Sequence, residues 1–393
     1  MTNELIKALK KLDLDLFFTK PQLKHIIIFV LSMVLKGYNG KVSDVEQLTS
    51  YRHRTSIADF LNKSPWDETF LLHAIREHAI KRIWQIAKAT KQPIYVIIDD
   101  TICEKTMPSS KVQNTIQGCF FHKSHLKGKM VYGHQFVTVM LRCNNVVVLF
   151  DIVLYNKDKM SKNEIAQSII KDLPKPVDKG YVLGDSWYTC KKLFEVAHNQ
   201  RYSYLGAFKS NRIIYPRGHR KKGIQIGAFA KTLKMHEFNL VTVGGKTYYT
   251  YTYLGKINSA KKAKIVISWP KDALYNEKAM KTYISLDIKM SEKQLLNYYI
   301  KRWPVETFFR ESKSYLGFDQ YQIRSTKGIK RYMALVVLTY IYCELEIKGT
   351  TLGFSQGLKK VRSEVEECKI RWVYEKAQAD VPLSDILKTL KIA

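Results

Sequence analysis

The chain has 393 residues, enough for a large buried core and for more than one domain. Its 65 Lys and Arg against 35 Asp and Glu give a formal charge of +30 and an isoelectric point near 9.7, more than solubility requires and indicative of a polyanionic partner. The cations recur along the whole chain among 24 Tyr, 17 Phe and 6 Trp, which excludes a basic surface confined to a disordered arm.

Residues 1–20 mix Glu, Asp and Lys and read as no secretory signal. From Pro21 to Leu35 the apolar residues are too dense for an amphipathic helix and predict one buried in an N-terminal bundle. The longest apolar runs, His25–Leu35 and Tyr332–Cys343, both fall short of the ~20 residues that span a bilayer, so no membrane partner is expected. Ser43-Asp44-Val45-Glu46 reads as a capping box, and a second short helix follows over Ser56–Asn62. Arg52-His53-Arg54 joins the two. The pair is either a helix-turn-helix-like DNA reader, with Arg52 and Arg54 against DNA, or ordinary bundle connectivity. Ser64-Pro65 predicts the N-cap and first residue of a long helix to Ala89. Residues 1–90 are thus expected to be an all-helical N-terminal domain.

The pattern changes at Pro93. Ile94–Ile98 is a short β-branched run typical of a buried strand, and it ends in Asp99-Asp100-Thr101. A polar, loop-like stretch to Lys129 precedes two strands, Tyr132–Leu141 and Val146–Leu154, which give an antiparallel start to a sheet. A helix over Lys162–Leu173 leads to Tyr181–Asp185, a second strand ending in aspartate. The helix Cys190–Asn199 and the strand Tyr202–Phe208 complete a mixed α/β core over residues 91–209. Residues 210–290 read as a β-rich insertion with a Gly244-Gly245 turn and a basic cluster at Arg217, His219, Arg220, Lys221 and Lys222. Residues 291–345 return to helix as the second part of the core, and 346–393 form a basic helical tail. Six cysteines without a C-x-x-C pair predict a reducing interior and no structural zinc.

Tyr299, Arg302, Glu306 and Lys313 advance by three, four and seven residues and stay on one helical face. An ion-paired surface helix would show the same spacing, each pair worth only ~0.2 to 0.5 kcal/mol. Pro304 predicts a break, with one helix to about Arg302 and another from Pro304 to Gly317. Aspartates at strand ends are common turn residues. In open α/β sheets, however, strand carboxyl ends are also where sites form, and Asp99 or Asp100, Asp185 and Glu306 could together hold hard divalent cations against a phosphodiester. For His134 a structural role is the expectation; for Trp187, Tyr188 and Trp303, core packing is weighed against stacking on an unpaired base.

Tyr299-x2-Arg302-x3-Glu306-x6-Lys313 resembles the Y-R-E-K signature of the IS4-type family of bacterial DDE transposases in order and spacing, and the flanking RWPVETFFRESKSYLGFDQYQIRS is similar to the same region. IIDDT at 97–101 and VLGDSWYTCKKLF at 182–194 resemble the family's two aspartate blocks, although Trp187 stands where a small residue is usual. The resemblance covers about residues 93–345. It implies an RNase H-like mixed-sheet catalytic core, interrupted by the β-rich insertion, and a bacterial cytoplasmic protein that is nucleoid-associated when DNA-bound. It implies Asp99, Asp185 and Glu306 as catalytic metal ligands, with Asp100 as the alternative first ligand, for two Mg2+ or Mn2+ ions. Tyr299, Arg302 and Lys313 would hold DNA phosphates, with Arg52, Arg54, Arg220, Lys221 and Lys222 as further contacts from the basic surface. The expected activity is cut-and-paste transposition on double-stranded DNA, both element ends and target, by a homodimer in a synaptic complex. An RNase H-like nuclease that does not join strands, and a transposase-derived DNA-binding protein, are the alternatives.

Overall fold

The computed structural model describes residues 2–49, 53–112, 115–124, 127–346 and 353–390. Six helices lead the chain: α1 (Thr2–Lys11), α2 (Leu14–Phe17), α3 (Lys20–Val34), α4 (Val42–Thr49), α5 (Arg54–Asn62) and α6 (Glu68–Thr90). Then come β1 (Ile94–Glu104), β2 (Phe120–Ser124), β3 (Lys129–Cys143), β4 (Val146–Leu154), α7 (Lys162–Asp172), β5 (Gly180–Gly184), α8 (Lys191–Asn199) and β6 (Ser203–Ala207). The next stretch holds β7 (Ile213–Ile214), β8 (Ile224–Gln225), α9 (Ile226–Ala230), β9 (Asn239–Val243), β10 (Lys246–Ile257), β11 (Ala260–Pro270) and β12 (Lys281–Ser285). The last helices are α10 (Glu292–Ile300), α11 (Pro304–Tyr315), α12 (Thr326–Glu346), α13 (Phe354–Gln378) and α14 (Leu383–Leu390). The fold is mixed α/β with a large mixed sheet. No helix among the described residues is long and apolar enough to cross a membrane. The chain divides into two compact units, one of Met1–His78, Ile102–Phe136 and Thr307–Ala393, the other of Ala79–Thr101 and Val137–Glu306.

In the first unit α12 packs against α3, α5 and α13, and its residues 332–343 are all buried, as their unbroken apolarity predicts. Two helix starts differ from expectation. α4 begins at Val42, and its first turn is closed by Asp44, whose Oδ2 accepts the Asn39 and Lys41 N–H groups at 2.7 and 3.1 Å, rather than by a Ser43–Glu46 box. α6 begins at Glu68, where Asp67 Oδ1 accepts the Thr69 N–H at 2.8 Å, and not at Pro65. Burial explains the delay: Trp66 is 4% exposed and donates its indole N–H to the Phe60 carbonyl, so the chain must turn inward before the helix can start. The stretch expected to loop to Lys129 contains β2, which pairs with β3 from Phe120↔Gly133 to Ser124↔Lys129. Its residues FFHKS lack a β-branched pattern, and the partner strand fixes them.

Arg331 holds this unit together from α12. It is 1% exposed, donates to the carbonyls of Phe60, Leu61 and Trp66, pairs with Glu68 at 3.5 Å and lies 4.6 Å from the Trp66 ring centroid. Three of its partners are carbonyls at the end of α5 and in the turn beyond, groups that a helix terminus leaves without intrahelical donors.

In the second unit, residues 94–97 of β1 pair in parallel with β5, and β5 is parallel to β6. β12 returns antiparallel to β6, then β11 and β10 extend the antiparallel part, while β9 and β7 both pair with β10. β3 flanks β1 on its other side and carries β4. Gly244 and Gly245, both at positive φ, make the tight β9–β10 turn. One sheet face is closed by a hydrophobic core in which Ile94, Val96 and Ile98 meet Ile83 and Ala87 of α6, Ile165 and Ile169 of α7, and Leu193 and Phe194 of α8.

Replacing Arg331 by Leu leaves Glu68 and three carbonyls without their buried donor. A loss of roughly 3 to 5 kcal/mol is expected in urea unfolding followed by tryptophan fluorescence; a change below about 1 kcal/mol would show that those groups find other partners.

Candidate active site

The site starts from strand alternation. Successive β1 side chains point to opposite faces. Ile94, Val96 and Ile98 point into the helix-covered core, while Tyr95 turns to the other face, where its ring meets Tyr181 at 5.9 Å and Tyr298 of α10 at 5.2 Å. The same parity separates the doubled aspartates. Asp100 falls on the α7–α8 side, where its Oδ1 accepts from Lys162 Nζ and from the Tyr188 hydroxyl, each at 2.9 Å. Asp99 falls on the α10 side, where its Oδ2 pairs with Arg302.

Register brings in the second aspartate. Ile97 pairs with Leu183 on strands roughly 4.8 Å apart, and two residues further on Asp99 of β1 comes level with Asp185, the first residue past the end of β5. Asp185 also does turn work: its Oδ1 accepts the N–H groups of Trp187 and Tyr188 at 2.8 and 3.4 Å. The Tyr204 hydroxyl holds its carbonyl at 3.3 Å.

The third carboxylate arrives through the helix break. α10 ends at Ile300, and the N–H groups of Lys301, Arg302 and Trp303 close a tight turn on the carbonyls three residues back. Pro304, which has no N–H to satisfy, opens α11 and sets Glu306 in its first turn. Within this turn Arg302 pairs with Asp99 through Nη1 and with Glu306 through Nη2. Tyr299 lies with its ring centroid 5.7 Å from the Arg302 guanidinium and 4.7 Å from the Tyr283 ring. Glu292, also on α10, accepts the hydroxyls of Thr250 and Thr252 at 2.6 Å each and so ties the helix to β10.

Burial, offset by Arg302 and reinforced by the charges of Asp185 and Asp100, pushes the Asp99 carboxyl up to about 7. Burial works against the Arg302 charge, but Asp99, Tyr299 and Glu306 outweigh it and raise its pKa. Burial, with Asp100 adding to it, raises the Tyr188 phenol well above its ordinary value. The donor set is oxygen-only and already encloses one cationic group, the chemistry of a hard divalent-cation site. Among the described residues no three His, Cys, Asp or Glu side chains stand arranged to hold a metal ion.

The structure thus brings Asp99, Asp185, Glu306, Tyr299 and Arg302 together in the second unit. Lys313 belongs to the first unit, where its Nζ donates to the Ile102 carbonyl at 3.0 Å. Arg52 lies outside the described residues; Arg54 is exposed at the start of α5. Arg220, Lys221 and Lys222 are exposed in the loop between β7 and β8. His134, also in the first unit, is fully buried, with one ring nitrogen 2.7 Å from the Tyr321 hydroxyl and the other 2.9 Å from the Gln117 carbonyl, a structural setting. Tyr188 is buried, but Trp187 is half-exposed, with the Lys162 and Lys209 ammonium groups 4.5 and 5.6 Å from its ring centroid, and Trp303 is exposed. Sequence reasoning missed Lys162 and Glu292, whose partners lie some tens of residues away.

Comparison with known proteins adds three findings. The family described as "Transposase DDE domain" matches residues 91–342. No curated protein matches at a significant level. A piggyBac transposase, solved by cryo-electron microscopy as a synaptic complex with hairpin DNA, is similar at 14% identity and a TM-score of 0.43 over 88% of this chain and 76% of its own. With the family match spanning well over half of its length, the chain belongs to the DDE-domain transposases.

Proposed function

We propose that this transposase works by cut-and-paste: it hydrolyses a phosphodiester at the end of a mobile element and directs the freed 3′-hydroxyl onto target DNA at one site formed by Asp99, Asp185 and Glu306. The observation that carries this reading is the convergence of Asp99, within β1, and the carboxyl end of parallel β5 with the α10–α11 turn, which collects carboxylates distant in sequence around one guanidinium. These oxygens suit one or two Mg2+ or Mn2+ ions, which when bound supply Lewis acidity for exchange of one oxygen at phosphorus for another.

The chain's own residues do the rest. Asp185 is pre-set, because two backbone N–H groups fix its Oδ1. Asp99 is the better first ligand, since Asp100 is engaged by Lys162 and Tyr188 on the opposite face and serves as a support for the strand end. Arg302 and Tyr299 sit together at the α10–α11 turn and offer a forked cation and a phenol to a DNA phosphate. Lys313, seven residues after Glu306 on α11, offers a further cation to the same DNA strand. The half-exposed Trp187 gives a flat face to an unpaired base. The strand order β4-β3-β1-β5-β6 supports an RNase H-like core, and the Y-R-E-K spacing supports the IS4-type subdivision. The basic loop at 220–222 tracks duplex phosphates, and two copies of the chain pair two element ends.

In a Mg2+-dependent cleavage and strand-transfer assay, Asp99→Asn, Asp185→Asn and Glu306→Gln should each lower both products by more than about a hundredfold, whereas Asp100→Asn should stay within about tenfold. Joined product at wild-type level in any of the three would remove that residue from the site; cleavage without joining by the wild-type chain would mark a plain nuclease. Replacing Arg220, Lys221 and Lys222 together by Ala should flatten the salt dependence of DNA binding by roughly 0.9 in log–log slope for each phosphate no longer neutralised, and an unchanged slope would place the DNA elsewhere.

A further inference from the structure

A guanidinium stands where the chemistry of this site calls for a metal. Arg302 spans Asp99 Oδ2 and Glu306 Oε1, and its side chain is 12% exposed against 15% and 37% for the two carboxylates. The pair with Asp99 is therefore largely shielded from solvent, where salt screens it little, while the Glu306 carboxylate stays partly exposed. An oxygen lone pair directed at an N–H is not available to a cation, so Arg302 and a divalent ion compete for the same atoms.

The way out for Arg302 is also visible. The turn that carries it is locked by three successive backbone hydrogen bonds and by Pro304, so the side chain must swing while the backbone stays. A DNA phosphodiester can accept both arms of the fork on its two non-bridging oxygens, whereas Asp99 and Glu306 each take only one. By contrast, Asp100 is paired to Lys162 on the far face, and a Tyr188 hydrogen bond keeps it there, so that pair stays closed.

We propose that Arg302 is an internal counter-ion that keeps the metal ligands occupied in the DNA-free protein, and that a bound DNA phosphate takes over its guanidinium and so releases Asp99 and Glu306 to divalent cations. Resting on the reading of Asp99, Asp185 and Glu306 as metal ligands, it adds an order: DNA first, metal second. Because coupling between two ligands is reciprocal, metal must also tighten DNA binding by the same factor. The device restrains metal-dependent chemistry until a phosphodiester is in place.

The test is Mn2+ binding to the full-length chain, read as loss of the free-ion signal in electron paramagnetic resonance. It is run with and without a short DNA duplex of arbitrary sequence at low salt. Wild-type protein should bind Mn2+ weakly alone and about tenfold more tightly with DNA. Arg302→Gln should bind tightly without DNA and gain little from it. If Arg302 instead only braces the turn, Arg302→Gln will bind Mn2+ no better than wild type, or worse, and the proposal fails. Should that variant not fold by circular dichroism, Arg302→Lys, with a single unforked charge, is expected to fall between; affinity equal to wild type would again overturn the idea. Asp185→Asn separates the two levels. If it leaves Mn2+ binding untouched, the ion is not at these carboxylates and the underlying site reading falls. If it abolishes binding while Arg302→Gln equals wild type, only the counter-ion role falls.

Discussion

Parallel pairing of β1 with β5 in the register Ile97↔Leu183 is the constraint on which the site depends. A slip of one residue either way would turn Asp99 to the helix-covered face and put Ile98 or Asp100 opposite Asp185. The register is secured on that covered face, where Ile94, Val96 and Ile98 are locked among α6, α7 and α8 and cannot shift without exposing apolar area. Hydrophobic packing on one side of the sheet thus places charged groups on the other.

Burial first, and then repulsion from Asp185 and Asp100, pushes the Asp99 carboxyl up to about 7. Something positive must stand among them. In this structure it is Arg302, delivered by a turn whose geometry follows from Pro304 and whose helix is anchored to the β10 hydroxyls through Glu292. Strand β10 therefore bears on the site, because its threonine hydroxyls hold Glu292 at the start of the helix that carries Tyr299 and leads into Arg302. Under the proposed function, the net charge of +30 draws DNA to the surface, while the guanidinium and the carboxylates act at one phosphate.

What can be read from the chain alone follows from how local each signal is. The β1 and β5 strands are legible from their short apolar runs, although β1 does not stop at the acids as expected but runs through them to Glu104, and the α10–α11 break because a proline cannot continue a helix. The start of α6 is not, since it is set by burial of Trp66 and by carbonyls that Arg331 collects from another part of the chain. Strand β2 is hidden for a related reason: Phe120–Ser124 is strand only because β3 lies beside it. Alternation shows that Asp99 and Asp100 must point apart, but which face holds the site depends on where α10 packs. Lys162 and Tyr188, which engage Asp100, carry no motif that would announce them.

The most direct test of the central claim is anomalous diffraction from crystals of the full chain with Mn2+ and a DNA duplex that carries the element end. The expected map has a manganese peak shared by the Asp99 and Asp185 carboxylates, with Arg302 moved onto a phosphate. A peak at Asp100 with Lys162 displaced, or a bound ion while Arg302 still bridges Asp99 and Glu306, would contradict it.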